Sequence, residues 1–316
     1  MRDYDYSKKW KDLLTPDIVS LLSKIHEFKG EQTLFIESYA DELTELVEIA
    51  KIQSVEASNR IEGIYTSDER LKKIVQAKTT PTTRNELEIA GYRDVLNTIH
   101  DSYEHIPIKP AIILQLHRDL YKFSGIESGG RYKNADNVIA EMDSQGNKKV
   151  RFEPVASWET PESIEKLCQA FNDVIKNNDL VDPLLIIPMF VIDFLCIHPF
   201  NDGNGRTARA LTYMYLLKNG YHFFKFFSIS SLLKEFRGNY YKAIKNVEDY
   251  DSDLTYFIDF YLDMTVKSIK KVSSDFKNQY LLKVIKGKIL DRGLELNKRQ
   301  EKTLEKIIKI GKKNID

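Results

Sequence analysis

The stretch His198-Pro199-Phe200-Asn201-Asp202-Gly203-Asn204-Gly205-Arg206-Thr207-Ala208-Arg209 decides how the chain is read. An apolar run from Pro183 to Ile197 leads into it, and a helical pattern from Arg206 to Leu217 leads out, with Gly220 placed to end that helix. The arrangement is helix, glycine-rich turn, helix N-terminus, a physical solution for holding phosphates. Pro199 disfavours helical geometry at His198, so the first helix should stop there with the imidazole facing the turn. Gly203 and Gly205 let the backbone approach an anion closely. The positive end of the next helix adds about 0.3–1 kcal/mol for an exposed anion. Arg206 and Arg209 are three apart and share a helical face, where both can fork onto phosphate oxygens. Asp202 would be repelled by phosphates alone and makes sense as a ligand for Mg²⁺ bridging them. His198 titrates near neutrality and is the good general base nearby.

Two other glycine-loop readings fail on context. Gly203 to Ala208 fits G-x-G-x-x-A, but a dinucleotide loop follows directly on a strand and has an acid about 20 positions on. Here Pro199 to Asp202 intervene, and the region near Phe223 to Phe227 carries no acid. A phosphate-binding loop of the G-x-x-x-x-G-K-[ST] kind is absent from the sequence.

The remaining chain reads as helices. Thr15-Pro16 opens one, with Ile18, Leu21, Leu22 and Ile25 at helical spacing and Gly30 as its stop. A longer one runs from about Glu37 to Glu62, with Gly63 as its C-terminal glycine. Thr66 with Glu69 and Thr83 with Glu86 read as capping boxes of two more, the second reaching about Tyr103. Another spans Pro110 to Tyr121. Between Ser124 and Pro154, Val138-Ile139-Ala140 and Lys149-Val150-Arg151-Phe152 flank the turn signal Asp143-Ser144-Gln145-Gly146-Asn147, which predicts a β-hairpin. Helices resume at Thr160-Pro161 and continue through Ser231–Val247 and Ser252–Val272. The expected fold is therefore all-α with one hairpin.

Composition sets outer bounds. With 316 residues, 42% hydrophobic and 30% charged, the chain is an ordinary globular one. Lys+Arg and Asp+Glu are both 47, so bulk charge offers nucleic acid or an anionic membrane no attraction. Leu184 to Phe200 is too short and interrupted for a membrane span, which needs about 20 apolar residues. Cys168 and Cys196 read as buried thiols, which suits the cytoplasm. From Leu281 to Asp316, eleven Lys/Arg face five Asp/Glu. The helical spacing of Leu304, Ile307 and Ile308 is compatible with the start of a winged-helix or helix-turn-helix module. Little chain follows Gly311 for a recognition helix, so a solvated amphipathic helix is the expectation.

The central stretch resembles the Fic family, whose motif H-x-F-x-[D/E]-G-N-G-R-x-x-R is met at every fixed position from His198 through Arg209. Gly130-Arg131 with Asn137-Val138-Ile139 resembles the start of that family's flap hairpin, and Phe152-Glu153-Pro154 with Thr160-Pro161 its exit. Asn239-Tyr240-Tyr241 resembles a downstream segment near the adenine. The resemblance implies an all-α Fic-type helical bundle with one β-hairpin flap. It divides the chain into an N-terminal helical extension over 1–105, a core over 106–275 and a basic C-terminal segment over 276–316. It also implies transfer of AMP from ATP to a Ser, Thr or Tyr hydroxyl of a target protein or of the chain itself. By analogy His198 is the base and Asp202 holds Mg²⁺. Gly203, Asn204 and Gly205 cradle the α- and β-phosphates, Arg206 and Arg209 bind the β/γ end, and Tyr240 and Tyr241 lie near the base. The hairpin, with Asn137, Val138 and Ile139 at its start, docks the target segment as an added strand. The intact Gly203-Asn204-Gly205 favours AMP transfer over the phosphorylation of the family's kinase branch.

Ser58-Asn59-Arg60-Ile61-Glu62-Gly63 is a second feature. Ser58 and Glu62 stack on one helix face. Glu62 sits at a predicted helix C-terminus, where the dipole disfavours a carboxylate. From spacing alone it is an ordinary exposed glutamate before a capping glycine. The pattern S-x-x-x-E-G, however, resembles the family's inhibitory helix, and carried over it pairs Glu62 with Arg209 near the γ-phosphate. Glu62 then either restrains AMP transfer or positions a water that removes AMP, as in bifunctional relatives. A Fic core that senses nucleotide for a DNA-binding C-terminus is the alternative of a different class. A homodimer is compatible with the sequence and not specified by it.

Overall fold

A computed structural model describes residues 6–38, 40–142, 148–177, 181–249, 253–290 and 296–311. In chain order the helices are α1 (Tyr6–Lys9), α2 (Pro16–Ser38), α3 (Ala40–Ile61), α4 (Asp68–Val75), α5 (Arg84–Ser102) and α6 (Pro110–Leu120). A hairpin of β1 (Ile139–Met142) and β2 (Lys148–Phe152) follows. Then come α7 (Thr160–Asn177), α8 (Pro183–Ile197), α9 (Asn204–Lys218), α10 (Ile229–Glu235), α11 (Arg237–Asp249), α12 (Thr255–Leu290) and α13 (Lys298–Gly311). The fold is all-α with one antiparallel hairpin, in register Ala140↔Val150 and bulged between Ile139 and Ala140. The expected turn Asp143–Asn147 lies outside the described residues.

Two compact units divide the chain, Met1–Val266 and Lys267–Asp316. In the first, α8 is the central rod, and every residue from Leu184 to Ile197 is buried. It packs on α7 and α9. Its one carboxylate, Asp193, is buried and accepts a 2.7 Å hydrogen bond from the Tyr6 hydroxyl. Asp182 caps its N-terminus by accepting from the Leu184 amide and also meets His26 Nε2 at 2.6 Å. No helix among the described residues is long and apolar enough to cross a membrane. Cys168 and Cys196 are buried, and burial pushes the Cys168 thiol up to about 12.

Several element ends differ from the sequence expectation, each for a local reason. Gly30 does not stop α2, which continues to Ser38. A helical glycine costs only about 1 kcal/mol, and Lys29 and Gln32 on either side donate to the Asn219 and Gly220 carbonyls. The N-cap of α4 is Ser67, not Thr66, because the Thr66 hydroxyl is turned to Glu86. Thr83 does cap α5, but Glu86 does not complete the box: its carboxylate goes to Arg70 at 2.6 Å and to the Thr82 amide. The Arg70 hydrogen bond holds Glu86 well below the usual carboxylate range. The helix expected over Ser231–Val247 is two, broken at Phe236. The one expected to end at Val272 runs on to Leu290, through the anticipated core boundary near 275. The N-terminal extension shares its compact unit with the core. In the second unit α13 carries a completed capping box, with Asn297 Oδ1 accepting from the Gln300 amide and Gln300 Oε1 accepting from the Asn297 amide.

Candidate active site

The site forms where α8 ends and α9 begins. His198 caps α8 in the left-handed region (φ 49°, ψ 60°), and Gly203 precedes α9 at φ 82°. Pro199 excludes the helical conformation, and the left-handed residue turns the chain sharply. Phe200, fully buried, anchors the turn, and Asn204 clamps it: its Oδ1 accepts from the Phe200 amide at 3.0 Å while its Nδ2 donates to the Phe200 carbonyl at 2.8 Å. The Asn204 side chain is therefore engaged with its own loop. The N-terminus of α9 carries no side-chain cap, so its first amides remain available to an anion.

His198 Nδ1 lies 3.3 Å from the Leu195 carbonyl. Donation there fixes the tautomer and leaves Nε2 as the proton acceptor. Burial lowers the His198 pKa, with Lys133 adding to the effect, while the Leu195 contact, Glu62 and Asp202 oppose it. The ring is thus neutral at pH 7. The Asp202 side chain is 67% exposed. Its Oδ1 accepts from the Gly203 amide at 2.6 Å, and its Oδ2 is 3.9 Å from Arg206.

The two arginines part company. Arg206 is fully buried, with Nη2 2.9 Å from Glu88 and 2.9 Å from the Tyr121 hydroxyl, and Nη1 3.5 Å from Asn59 Oδ1. It stands over the Tyr121 ring. In this structure it is a strut joining α3, α5, α6 and α9. Arg209 is held by Ser58, whose Oγ and carbonyl accept at 2.7 and 2.9 Å, and by Glu62 Oε1 at 2.7 Å. Burial opposes the Arg209 charge, but Glu62, Tyr240 and Tyr92 together outweigh it and raise the pKa above the ordinary arginine value. A side chain at Gly205 would run into the Glu62 carboxylate. That carboxylate therefore sits directly on the open end of α9.

Tyr240 is buried, and its ring lies 5.6 Å from that of Tyr241. Tyr241 is less buried and stacks beneath Arg237. At the flap, Asn137 turns back to the loop. Its Nδ2 reaches the carbonyls of His198 and Phe200 at 3.4 and 3.3 Å, and its Oδ1 accepts from Lys133. Val138 is exposed and precedes β1, and Ile139 opens the strand.

Sequence reasoning passed over two braces of the loop. Lys133, buried, donates through Nζ to the Ile197 carbonyl and through its amide to the Pro199 carbonyl. Burial takes its pKa down to about 8. His117 accepts from the Gly130 amide at Nδ1, donates from Nε2 to the Asp202 carbonyl, and stacks on Phe200 at 3.6 Å. A histidine on the apolar face of Ile113, Leu116 and Leu120 was the available signal.

The helical core thus presents an uncapped helix end, a histidine and an exposed carboxylate in one turn. Residues 107–216 match the Fic/DOC family. The chain is 27% identical over 210 residues to protein adenylyltransferase Fic of Nematostella vectensis, covering 64% of this chain and 45% of that one. It is 25% identical over 189 residues to a probable protein adenylyltransferase of Aquifex aeolicus, covering 59% of this chain and 52% of that one. The chain thus spans about half the length of these relatives. In fold it is similar to a Fic family protein from Desulfovibrio desulfuricans, with a TM-score of 0.69 at 21% identity, covering 94% of this chain and 88% of that one. It is also similar to Fic-1 of Caenorhabditis elegans, with a TM-score of 0.62 at 18% identity, covering 83% and 73%.

Proposed function

We propose that the chain is an Mg²⁺- and ATP-dependent protein adenylyltransferase that moves AMP onto a hydroxyl of a protein, with Glu62 as its brake. The carrying observation is the neutral His198, oriented through Leu195, beside the uncapped end of α9. Its Nε2 takes the proton of a Ser, Thr or Tyr hydroxyl as that oxygen attacks the α-phosphorus. The new P–O bond forms as the bond to the β-phosphate oxygen breaks, and diphosphate leaves. Amides at Gly205 and Arg206, with the helix dipole, offset the charge that builds up. Asp202 fits the metal: Mg²⁺ in such sites takes one or two carboxylates, the rest being water and phosphate, and this carboxylate is exposed at the turn. Bound there, the ion would neutralise phosphate charge. Relatives named protein adenylyltransferases support the same reading.

Glu62 supports the brake. It holds Arg209 and lies where a γ-phosphate oxygen would approach Gly205. A phosphate there must share one cation with a carboxylate, so productive seating is disfavoured. Incubation with α-labelled ATP and Mg²⁺ tests both halves. His198→Ala should reduce labelling by about 10²–10⁴-fold, and Glu62→Gly should raise it above wild type. Retained labelling in the first, or no gain in the second, would remove the corresponding role.

A further inference from the structure

The zero net charge of the chain is unevenly spread. Lys267–Asp316, the second compact unit, holds fifteen Lys and Arg against six Asp and Glu, and the residues before it hold thirty-two against forty-one. Charges more than about 8 Å away are largely screened at physiological ionic strength. A ligand therefore meets the local balance, and in this unit that balance is strongly positive. The reaction proposed above uses none of these residues.

Part of this charge gathers on one helix face. In α13, Lys298, Arg299, Lys302 and Lys306 are all exposed. At 3.6 residues per turn they fall within an arc of about 100°. Like charges held this close repel one another and raise the energy of the bare surface. Among the described residues no carboxylate pairs with the four, since Glu301 of the same helix goes to Lys286 of α12 at 2.8 Å. The rest of the helix is otherwise engaged. Leu304, half-buried, lies opposite the basic arc. The N-terminus is closed by Asn297 Oδ1, which accepts from the Arg299 and Gln300 amides at 3.0 Å. What α13 offers a partner is its basic side chains.

We propose that this face of α13 binds the phosphate backbone of double-stranded nucleic acid without reading its sequence. Lys298 to Lys306 covers about 12 Å along the helix axis, which matches three to four phosphates of one strand at about 3.4 Å each. Four cations meet that run. Three of them are lysines, which engage phosphate as point charges rather than forking onto a base edge. A single strand calls for aromatic side chains on which its bases stack, and α13 holds no Phe, Tyr or Trp. A lipid surface calls for a broad free apolar face. Here Leu304 is half-buried, and Ile307 is the one exposed apolar side chain among the described residues of the helix.

The test titrates the full chain into a short fluorescein-labelled DNA duplex and follows anisotropy at graded NaCl. The expected result is saturable binding whose log affinity falls against log salt with a slope of about −3 to −4. Lys298→Gln/Arg299→Gln/Lys302→Gln/Lys306→Gln keeps good helix formers at all four positions. It should lose at least tenfold in affinity and most of the slope. Lys24→Gln/Lys72→Gln/Lys78→Gln/Lys109→Gln removes the same charge from exposed positions of the first unit and should bind within about twofold of wild type. No binding by wild type, or full affinity in the first variant, overturns the proposal. If circular dichroism shows that this variant has lost helix, Lys302→Glu decides in its place, and unchanged affinity there overturns the site. Equal loss in both fourfold variants overturns the assignment to α13. Displacement by single-stranded DNA or phosphatidylserine vesicles at a lower phosphate concentration than unlabelled duplex overturns the duplex as ligand. A more than tenfold preference between two unrelated duplexes overturns backbone recognition. AMP labelling is not a readout here, so failure of the proposed function leaves each of these outcomes standing.

Discussion

At the scale of single residues, protonation of His198 and the pairing of Arg206 carry the sharpest consequences. A base must be neutral to act. Because burial lowers the His198 pKa, the imidazole loses its proton below the ordinary value of 6.5. The acid limb of kcat/KM should therefore lie below pH 6.5, with activity rising as pH climbs through it. A limb at or above 6.5 in a pH–rate profile would assign it to another group. Arg206 is fully enclosed and depends on Glu88, itself 3% exposed as a side chain. Removing one member of a buried pair strands the other charge, at about 3–5 kcal/mol. Glu88→Ala should lower the unfolding free energy by that order in a urea titration. A loss under about 1 kcal/mol would mean that Tyr121 and Asn59 suffice to hold the guanidinium.

At the scale of elements, the loop between α8 and α9 is positioned from three sides. Asn204 closes it internally, Lys133 and Asn137 tie it to the approach to β1, and His117 ties it to α6 and Gly130. Asn204→Ala removes two hydrogen bonds, leaving the Phe200 amide unpaired and its carbonyl to Asn137 alone. A cost of about 1–3 kcal/mol is expected, together with reduced labelling in a still-folded protein. Full labelling in that variant would show that the loop holds its shape without the clamp. Pro199, Gly203 and the helix that starts at Asn204 were legible in sequence because local sterics dictate them. The buried role of Asn204 was not. An amide beside two glycines reads equally as a ligand for phosphate or as a clamp on its own turn, and only the enclosure of Phe200 separates the two.

At the scale of the molecule, the N-terminal helices and the segment that matches the Fic/DOC family form one compact unit. Ties between Tyr6 and Asp193, His26 and Asp182, and Gln32 and Gly220 join residues more than 150 positions apart. The unit also carries neutral buried imidazoles. Burial takes both His117 and His100 down to about 4 from 6.5. Their unfolded forms bind protons first, so the stability they contribute is fully present above pH 6.5 and is lost as pH falls toward 4. Each group contributes a slope of at most about 1.4 kcal/mol per pH unit in that window. Urea midpoints at pH 7 and pH 5 should fall accordingly, and the fall should shrink in His117→Gln. An equal fall in that variant would place the acid sensitivity elsewhere.

What the sequence determined by itself is local: helix periods, the hairpin, the stop at His198-Pro199, the open end of α9 and the carboxylate beside it. These follow from backbone sterics and side-chain spacing within a few residues. Spacing also put Arg206 and Arg209 on one helical face, but it could not say what packs against that face. Only tertiary structure enclosed Arg206 with Glu88 and brought Glu62 to Arg209 across 147 residues. The physical reason is burial. Whether a guanidinium meets water, phosphate or a carboxylate depends on what other helices exclude from it, and that environment is assembled from residues that the local pattern does not contain.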